Sequence, residues 1–373
     1  MMPRKLLSRT LLAATALTAV VGLYGGLLRF GVPLPDLPPA VDLHGLVMMQ
    51  GVFGTLVPLE RAVALKTSIW FAAPILSGLG TFLLLAGLPV GFLLLVLSAA
   101  VFVAMSARVV QLQPTAFNLA LLLAAAALLS GTALLPRTGD PLLSMPFWLA
   151  FLVLTVSGER LELSRFTGVS RNSSALFMLI STALLIGALP WIRDVDSGMT
   201  MALALLAMAG WLAKNDIARR RVRAGGQVGF MAAAILCGQF WLAVAGVAMI
   251  AQIKFPEMLD VVIHAVGIGF ALSMIMGHAL IILPAVGGLR LTYRPLMYWA
   301  LAFLQLSVAA RALFDLLAPD LRWTAGSLSL IALLMFGVLG ALRPHSSKSA
   351  MPGPNDTHSL GADTTSSGRI RPL

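Results

Sequence analysis

The sequence is poor in charged residues and in cysteine. Only 11% of its 373 residues are Asp, Glu, Lys or Arg, whereas 59% are hydrophobic, and the mean hydropathy is +0.92. This composition is typical of a polytopic membrane protein rather than of a soluble domain. The single cysteine, Cys237, excludes an internal disulfide and a thiolate-based metal or redox centre. The phosphate-binding pattern G-x-x-x-x-G-K-[ST] is also missing, which argues against ATP-driven transport by this chain alone.

Twelve apolar stretches have the length of a membrane-spanning helix. They are roughly 11–29, 43–59, 67–88, 90–110, 115–135, 143–159, 175–192, 199–214, 228–250, 261–287, 295–317 and 323–342. The third and fourth stretches are separated only by a few residues around Pro89, which predicts a tight helical hairpin. Frequent Gly and Ala residues allow close helix packing in lipid. We therefore predict an all-α polytopic integral membrane bundle of about 12 transmembrane helices over residues 1–342.

The basic residues predict the orientation of this bundle. When the loops are assigned alternately to the two sides, six of the 26 Lys and Arg residues fall on the side opposite the N-terminus. These six are Arg29, Arg137, Arg193, Lys254, Arg311 and Arg322. The bias places both termini in the cytoplasm and predicts a multi-pass protein of a bacterial-type inner membrane. It also explains the net charge of +11 by the lipid bilayer as partner, without nucleic acid.

The two ends of the chain need separate interpretation. The first apolar stretch has a charged start like a signal peptide, but no clear A-x-A cleavage site follows it, so we interpret it as a helix. Residues 343–373 are rich in Ser, Pro, Gly and Thr, which predicts a disordered cytoplasmic tail. The histidines of this tail are then incidental to any membrane site.

Three histidines remain inside the apolar stretches, where ionisable groups are costly and often functional. His44 and His264 each lie near the start of a stretch that runs inward, so both are expected in the same outer layer. On neighbouring helices they could be the two axial ligands of a haem, with Arg311 pairing with a propionate. Small residues, Gly51 and Gly267 among them, would leave room for the macrocycle. The alternative is that each histidine simply bonds a neighbouring helix or lies in the headgroup region.

His278 belongs to a different layer. Fourteen residues of α-helix turn through about 1400° and rise about 21 Å, so His278 is expected on the same face as His264 but in the opposite leaflet. There it converges in depth with Glu60 and Glu159, and the three could bind a divalent metal or transfer protons. The alternative is that the two Glu-Arg dipeptides, at 60–61 and 159–160, form an ion pair that closes the inner ends of two helices.

Two segments carry a family resemblance. They are "DLHGLVMMQGVFGTLVPLERAVAL" at 42–65 and "IHAVGIGFALSMIMGHALIILPAV" at 263–286. Together with twelve spans and inward termini, they resemble the haem-copper oxidase subunit I superfamily, in particular its NnrS-like branch. The resemblance implies a b-type haem held by His44 and His264, with Arg311 or Arg322 in the propionate role. It also implies a link to nitric oxide or respiratory stress and a respiratory electron-transfer partner.

The sequence departs from that family in two ways. The oxidases bind copper through histidines on spans six and seven, and this chain has no histidine there, so reduction of oxygen at a haem-copper centre is not expected. The span-ten histidines of the oxidases lie two residues apart, whereas these lie fourteen apart. The resemblance therefore implies a haem- or metal-binding membrane protein and leaves open whether it is an enzyme.

Two other functions fit the same sequence. A secondary transporter commonly has twelve spans and would use the buried Glu, Arg and His residues as an ion path. An assembly or scaffold protein would have purely structural histidines and no bound chromophore. The transporter hypothesis predicts two related halves of the chain. The sequence contains only a weak similarity between "LERAVAL" and "GERLELS".

Overall fold

A computed structural model of the protein describes residues 4–189 and 195–342. The described residues are helical throughout their regular structure and contain no strand. We number the helices α1 Arg4–Arg29, α2 His44–Leu65, α3 Ser68–Leu85, α4 Val90–Leu112, α5 Ala116–Thr138, α6 Pro141–Thr167, α7 Arg171–Gly187, α8 Val195–Asn215, α9 Gly226–Ala251, α10 Met258–Gly287, α11 Met297–Leu317 and α12 Pro319–Ala341. The all-α prediction is confirmed for these residues, and the predicted disordered tail lies outside them.

Ten of these helices are long and apolar enough to cross a membrane. Of the other two, α7 has 17 residues, and α8 forms a bent pair with the short helix Ala218–Ala224, at an angle of 44°. Each of the twelve helices coincides with one predicted apolar stretch. The chain is thus a multi-helix protein of membrane-spanning composition, with two helices that depart from a simple span.

Helices that are consecutive in the chain pack against each other, as expected for short connections. The exceptions define the centre of the bundle: α10 contacts α1, α2 and α6 as well as its sequence neighbours. Helix α6 is the most buried of the ten long helices, followed by α2 and α10. These three helices carry the selected histidines and glutamates, His44, Glu60, Glu159, His264 and His278, whereas Arg311 and Arg322 lie on α11 and α12.

The hairpin predicted around Pro89 is confirmed. Helix α3 ends at Leu85 and α4 begins at Val90, and the turn uses Gly87 with a φ of +76°, a conformation that favours glycine. Gly80 and Gly91 face each other across the two helices, where a methyl group on Gly91 would lie 2.4 Å from the Gly80 carbonyl oxygen. The two backbones approach this closely because neither residue has a side chain.

Two helices contain π-helical segments that the sequence analysis did not predict. They span Val47–Phe53 in α2 and Ala265–Leu272 in α10. A π turn has i to i+5 hydrogen bonds and is wider than an α turn, so angles calculated for an uninterrupted α-helix no longer apply. The rotation predicted from His264 to His278 crosses such a segment and assumed an uninterrupted α-helix, which is wrong there; the segment in α2 likewise lies between His44 and Glu60.

Helix α6 is longer than predicted. The apolar stretch was expected to end at residue 159, but the helix continues through charged residues to Thr167. Arg160 therefore lies on a helix inside the bundle and is only 4% exposed.

Close packing at one glycine can be tested directly. A methyl group on Gly25 in α1 would lie 2.0 Å from the Ala40 carbonyl oxygen, so backbone must move. We expect Gly25→Ala to lower the free energy of unfolding by about 1–3 kcal/mol, measured by SDS titration of the purified protein. Gly337→Ala is the matched control, since a methyl group there meets nothing within 4 Å. Equal stability of the two variants would contradict the close approach of α1 to Ala40.

Candidate functional site

Charged side chains inside the bundle form two separate clusters. The outer cluster lies where α2 and α10 begin and consists of His44, Asp260, His264, Arg311, Asp315 and Arg322. The inner cluster lies toward the other ends of the same helices and consists of Glu60, Arg61, Glu159, Arg160, Asp216 and His278. The words outer and inner follow the predicted topology. The predicted separation of His264 from His278 into two layers agrees with this arrangement.

Arg311 organises the outer cluster. Its Nε and Nη2 donate to Oδ2 and Oδ1 of Asp260 at 2.6 and 2.8 Å, a two-pronged bond between α11 and α10. The Phe30 ring at the end of α1 lies 4.4 Å from the Arg311 Cζ atom, in a cation-π contact. The Arg311 side chain is only 12% exposed, whereas that of Asp260 is 40% exposed, so the arginine is shielded from water and its partner is partly open to it.

A second ion pair extends the cluster to α12. Arg322 Nε lies 2.7 Å from Oδ1 of Asp315, whose side chain is 3% exposed, and its Nη2 donates to the Asp315 carbonyl oxygen at 3.3 Å. Asp315 Oδ2 also lies 3.9 Å from Arg311 Nε. Both arginines that were assigned to haem propionates are therefore bound to aspartates of the same chain.

The two outer histidines are held in the same way. Nδ1 of His264 donates to the Asp260 carbonyl oxygen at 2.9 Å, with Asp260 Oδ2 at 3.3 Å, and Nδ1 of His44 donates to the Gly22 carbonyl oxygen at 2.7 Å. A carbonyl oxygen only accepts, so Nδ1 carries the proton of each neutral ring and Nε2 keeps its lone pair. Within the described residues neither Nε2 has a hydrogen bond.

His44 and His264 are close enough to interact electrostatically, and Arg311 also acts on His44. The His44 ring packs against α1, where a methyl group on Gly26 would lie 2.9 Å from its Cε1 atom. Near His264, a methyl group on Gly267 would meet nothing within 4 Å, so this glycine borders open space as expected.

Gly51, the other glycine expected to leave room, does not do so. Thr18 of α1 and Thr81 of α3 fill its surroundings, and a methyl group there would lie 2.8 Å from Thr81 Cγ2. Gly269 is likewise covered by Trp241, 2.4 Å from the position of an added methyl group. Of these three glycines, Gly267 alone has no neighbouring atom within 4 Å of an added methyl group.

The inner cluster contains the ion pair that was considered as an alternative. Arg61 Nη2 of α2 donates to Glu159 Oε1 of α6 at 2.9 Å, with side chains 22% and 27% exposed. Glu60 interacts electrostatically with both residues of this pair. The two Glu-Arg dipeptides thus join the inner ends of α2 and α6.

His278 has partners at both ring nitrogens. Nδ1 donates to the Met274 carbonyl oxygen at 2.7 Å, and Nε2 accepts from Arg160 Nη2 at 2.9 Å. Neither nitrogen has a lone pair available for a metal while Arg160 stays in place. Across residues 4–189 and 195–342 no group of three or more His, Cys, Asp or Glu residues is arranged to hold a metal ion. His278, Glu60 and Glu159 lie in one cluster but do not form a metal centre there.

Two acidic residues of these clusters were missed in the sequence analysis. Asp260 stands four residues before His264, a spacing that places both on one helix face and could have identified it. Asp216 lies in the basic segment "KNDIARRRVR" and is 6% exposed, with Oδ1 accepting from Ala218 N and Oδ2 from Gln239 Nε2. Nothing in the sequence around Asp216 distinguishes it from a surface residue.

The Arg311–Asp260 pair can be tested by a double-mutant cycle. We expect Arg311→Gln and Asp260→Asn to show a coupling energy of about 1–3 kcal/mol, because the bond is two-pronged and its arginine is mostly buried. Unfolding free energies from SDS titration provide the cycle. The control pair is Arg165 and Glu162, at 3.3 Å with side chains 52% and 40% exposed, whose coupling should stay below about 0.5 kcal/mol. A coupling energy of Arg311 and Asp260 no larger than that of Arg165 and Glu162 would contradict this prediction.

Comparison with known proteins gives one positive finding. A protein family model matches residues 8–343, which include nearly all of α1 and the whole of the other eleven helices. No curated protein and no solved structure matches the chain. Because the match extends over most of its length, the chain belongs to the family described as Domain of unknown function (DUF8744).

Proposed function

We propose that the protein is a twelve-span protein of a bacterial-type inner membrane, with both termini in the cytoplasm. The twelve apolar helices and the uneven distribution of Lys and Arg support this topology. In this arrangement α7 crosses as a short helix and α8 crosses up to its bend, with the basic segment 214–223 on the cytoplasmic side.

The topology is tested by labelling single cysteines in intact cells. After Cys237→Ala, a cysteine is introduced either by Asp36→Cys, in the loop between α1 and α2, or by Arg220→Cys. Both positions are exposed. A membrane-impermeant maleimide should label the first variant in intact cells and the second only after lysis. The opposite pattern would reverse the proposed orientation.

We further propose that the outer cluster binds haem, with His44 and His264 as axial ligands. One observation carries this proposal: both imidazoles are fixed through Nδ1 on backbone carbonyls and leave Nε2 without a partner. Fixing one ring nitrogen by a hydrogen bond is the usual way to orient a histidine that ligates a metal through the other. A π-helical segment also follows each histidine, and such segments are frequent at functional sites.

The surrounding residues fit this role in part. A methyl group on Gly267, three residues after His264, would meet nothing within 4 Å, and Asp260 holds the His264 ring through Nδ1. Arg311 and Arg322 fit their expected role less well, because each would have to release its aspartate before it could bind a haem propionate. Bound haem would supply one-electron transfer. By its resemblance to NnrS-like proteins, the chain would serve nitric oxide handling or respiratory stress and receive electrons from a respiratory partner.

The haem proposal is tested by optical spectra of the detergent-purified protein from cells supplied with haem. We expect a sharp reduced α-band that is lost in His44→Ala and in His264→Ala, since each removes an axial ligand. His278→Ala is the matched control and should keep the band, because His278 lies in the inner cluster. A featureless wild-type spectrum would overturn the proposal, as would equal loss of the band in all three variants.

The bend after α8 favours a second candidate function. Asp216 lies at the break between α8 and the short helix Ala218–Ala224, and it acts electrostatically on His278. Interrupted helices with charged groups at the break are typical of ion and substrate sites in secondary transporters. Transport is therefore the function to assay if the purified protein contains no haem.

A further inference from the structure

Arg160 in α6 is a buried cation without a carboxylate partner. It is 4% exposed, and among residues 4–189 and 195–342 its one hydrogen bond joins Nη2 to His278 Nε2 at 2.9 Å. Its Nε atom is buried and has no hydrogen-bond partner. No carboxylate of the described residues lies within 4.0 Å of the Arg160 guanidinium.

Three acidic residues near Arg160 have partners of their own, and Glu60, the remaining acidic residue of the inner cluster, forms no ion pair with Arg160 within 4.0 Å. Glu159, its neighbour in sequence, binds Arg61, and Glu162 binds Arg165 at 3.3 Å. Asp216 acts on His278, but its two oxygens accept from Ala218 N and from Gln239. The chain therefore leaves the Arg160 charge without a direct counter-charge.

His278 cannot neutralise that charge. Because Nδ1 of His278 donates to the Met274 carbonyl oxygen and Nε2 accepts from Arg160, the ring is neutral. A neutral ring or a water molecule can satisfy a donor but supplies no negative charge. Arginine keeps its proton in proteins, and burying an ion without a counter-ion is strongly unfavourable, so an anion from outside the chain would be stabilised here.

A second buried donor stands beside Arg160. Ser157 lies three residues earlier on α6, a spacing at which side chains are neighbours on one helix face. Ser157 is fully buried, and its Oγ atom also lacks a hydrogen-bond partner. Arg160 Nε and Ser157 Oγ are thus two buried donors on one face of α6 that no acceptor of the described residues satisfies.

The nearby surface is strongly positive. Asp216, which acts on His278, belongs to the segment 214–223, whose five basic side chains are all exposed. They are Lys214, Arg219, Arg220, Arg221 and Arg223. A surface with many positive side chains raises the local concentration of anions, so anions accumulate at this end of the bundle.

We propose that Arg160, Ser157 and His278 form a binding site for a small planar oxyanion, of the nitrate, nitrite or carboxylate class, which enters from the side of segment 214–223. The guanidinium fork matches the geometry of a planar oxyanion, and the Ser157 hydroxyl adds a hydrogen bond to it. The site is independent of the proposed haem, which lies in the outer cluster.

The experiment measures the thermal unfolding midpoint, Tm, of the detergent-purified full chain while sodium gluconate is replaced stepwise by sodium nitrate at constant ionic strength. Gluconate is too bulky for a buried site. We expect the wild-type Tm to rise on the order of 5 °C and then to saturate. A Tm that does not change with nitrate would overturn the proposal.

Variants identify the site. Arg160→Gln should abolish the nitrate response, and Ser157→Ala should shift it to higher nitrate concentration. Arg160→Lys keeps the charge without the planar fork and should respond equally to nitrate and chloride, which keeps the proposal testable if the glutamine variant does not fold. Arg9→Gln is the matched control, because Arg9 is an exposed cation at the same end, bonded to the Gly287 carbonyl oxygen, and it should retain the full response.

Two outcomes would contradict the assignment to Arg160. One is an unchanged nitrate response in Arg160→Gln, and the other is an equal loss of the response in Arg9→Gln. A visible spectrum recorded on each sample reports the haem separately, so failure of the anion site and failure of the haem proposal are distinguishable.

Discussion

The arrangement of this bundle depends on the neutralisation of charge where hydrocarbon excludes water. A charged side chain between the helices must find its partners within the protein, because the bilayer core supplies none. Arg311 meets this requirement with Asp260, Arg322 with Asp315, and Arg61 with Glu159. Each pair joins two different helices, so these contacts fix which helices are neighbours at the two ends of the bundle.

The same constraint separates structural groups from candidate functional ones. The paired arginines and aspartates account for their own burial and need no ligand. Three other groups have atoms without a partner in the described residues. These atoms are Nε2 of His44, Nε2 of His264 and Nε of Arg160. The candidate functional groups are therefore the buried polar groups that take no part in an ion pair.

Most of the fold could be predicted from the sequence, because apolar length is a direct requirement of a membrane-spanning helix. The twelve stretches and the α3–α4 hairpin came from that requirement alone. The ion pair between Arg61 and Glu159 was also foreseeable as an alternative, since both dipeptides were expected at the same depth. The pairing of Arg311 with Asp260 was not, because it depends on which helices are adjacent, and hydropathy says nothing about adjacency.

The histidine layers were predicted by depth, but their angular positions were not. Counting residues gives the rise along a helix reliably, whereas the rotation assumes that every turn is an α turn. The segments Val47–Phe53 and Ala265–Leu272 break that assumption, and neither contains a residue pattern that distinguishes it from ordinary α-helix. Residue spacing cannot predict side-chain angles across these segments, because they are defined by i to i+5 hydrogen bonds and not by their composition.

These π-helical segments also have a mechanical consequence. Each lies between an outer histidine and an inner charged residue of the same helix, His44 and Glu60 in α2, and His264 and His278 in α10. Converting one π turn to an α turn changes the count by one residue, which rotates one half of the helix against the other by about 100°. In each of these helices the π-helical segment therefore sets the angle between the outer histidine and the inner charged residue, and without its extra residue the two groups would face different neighbours.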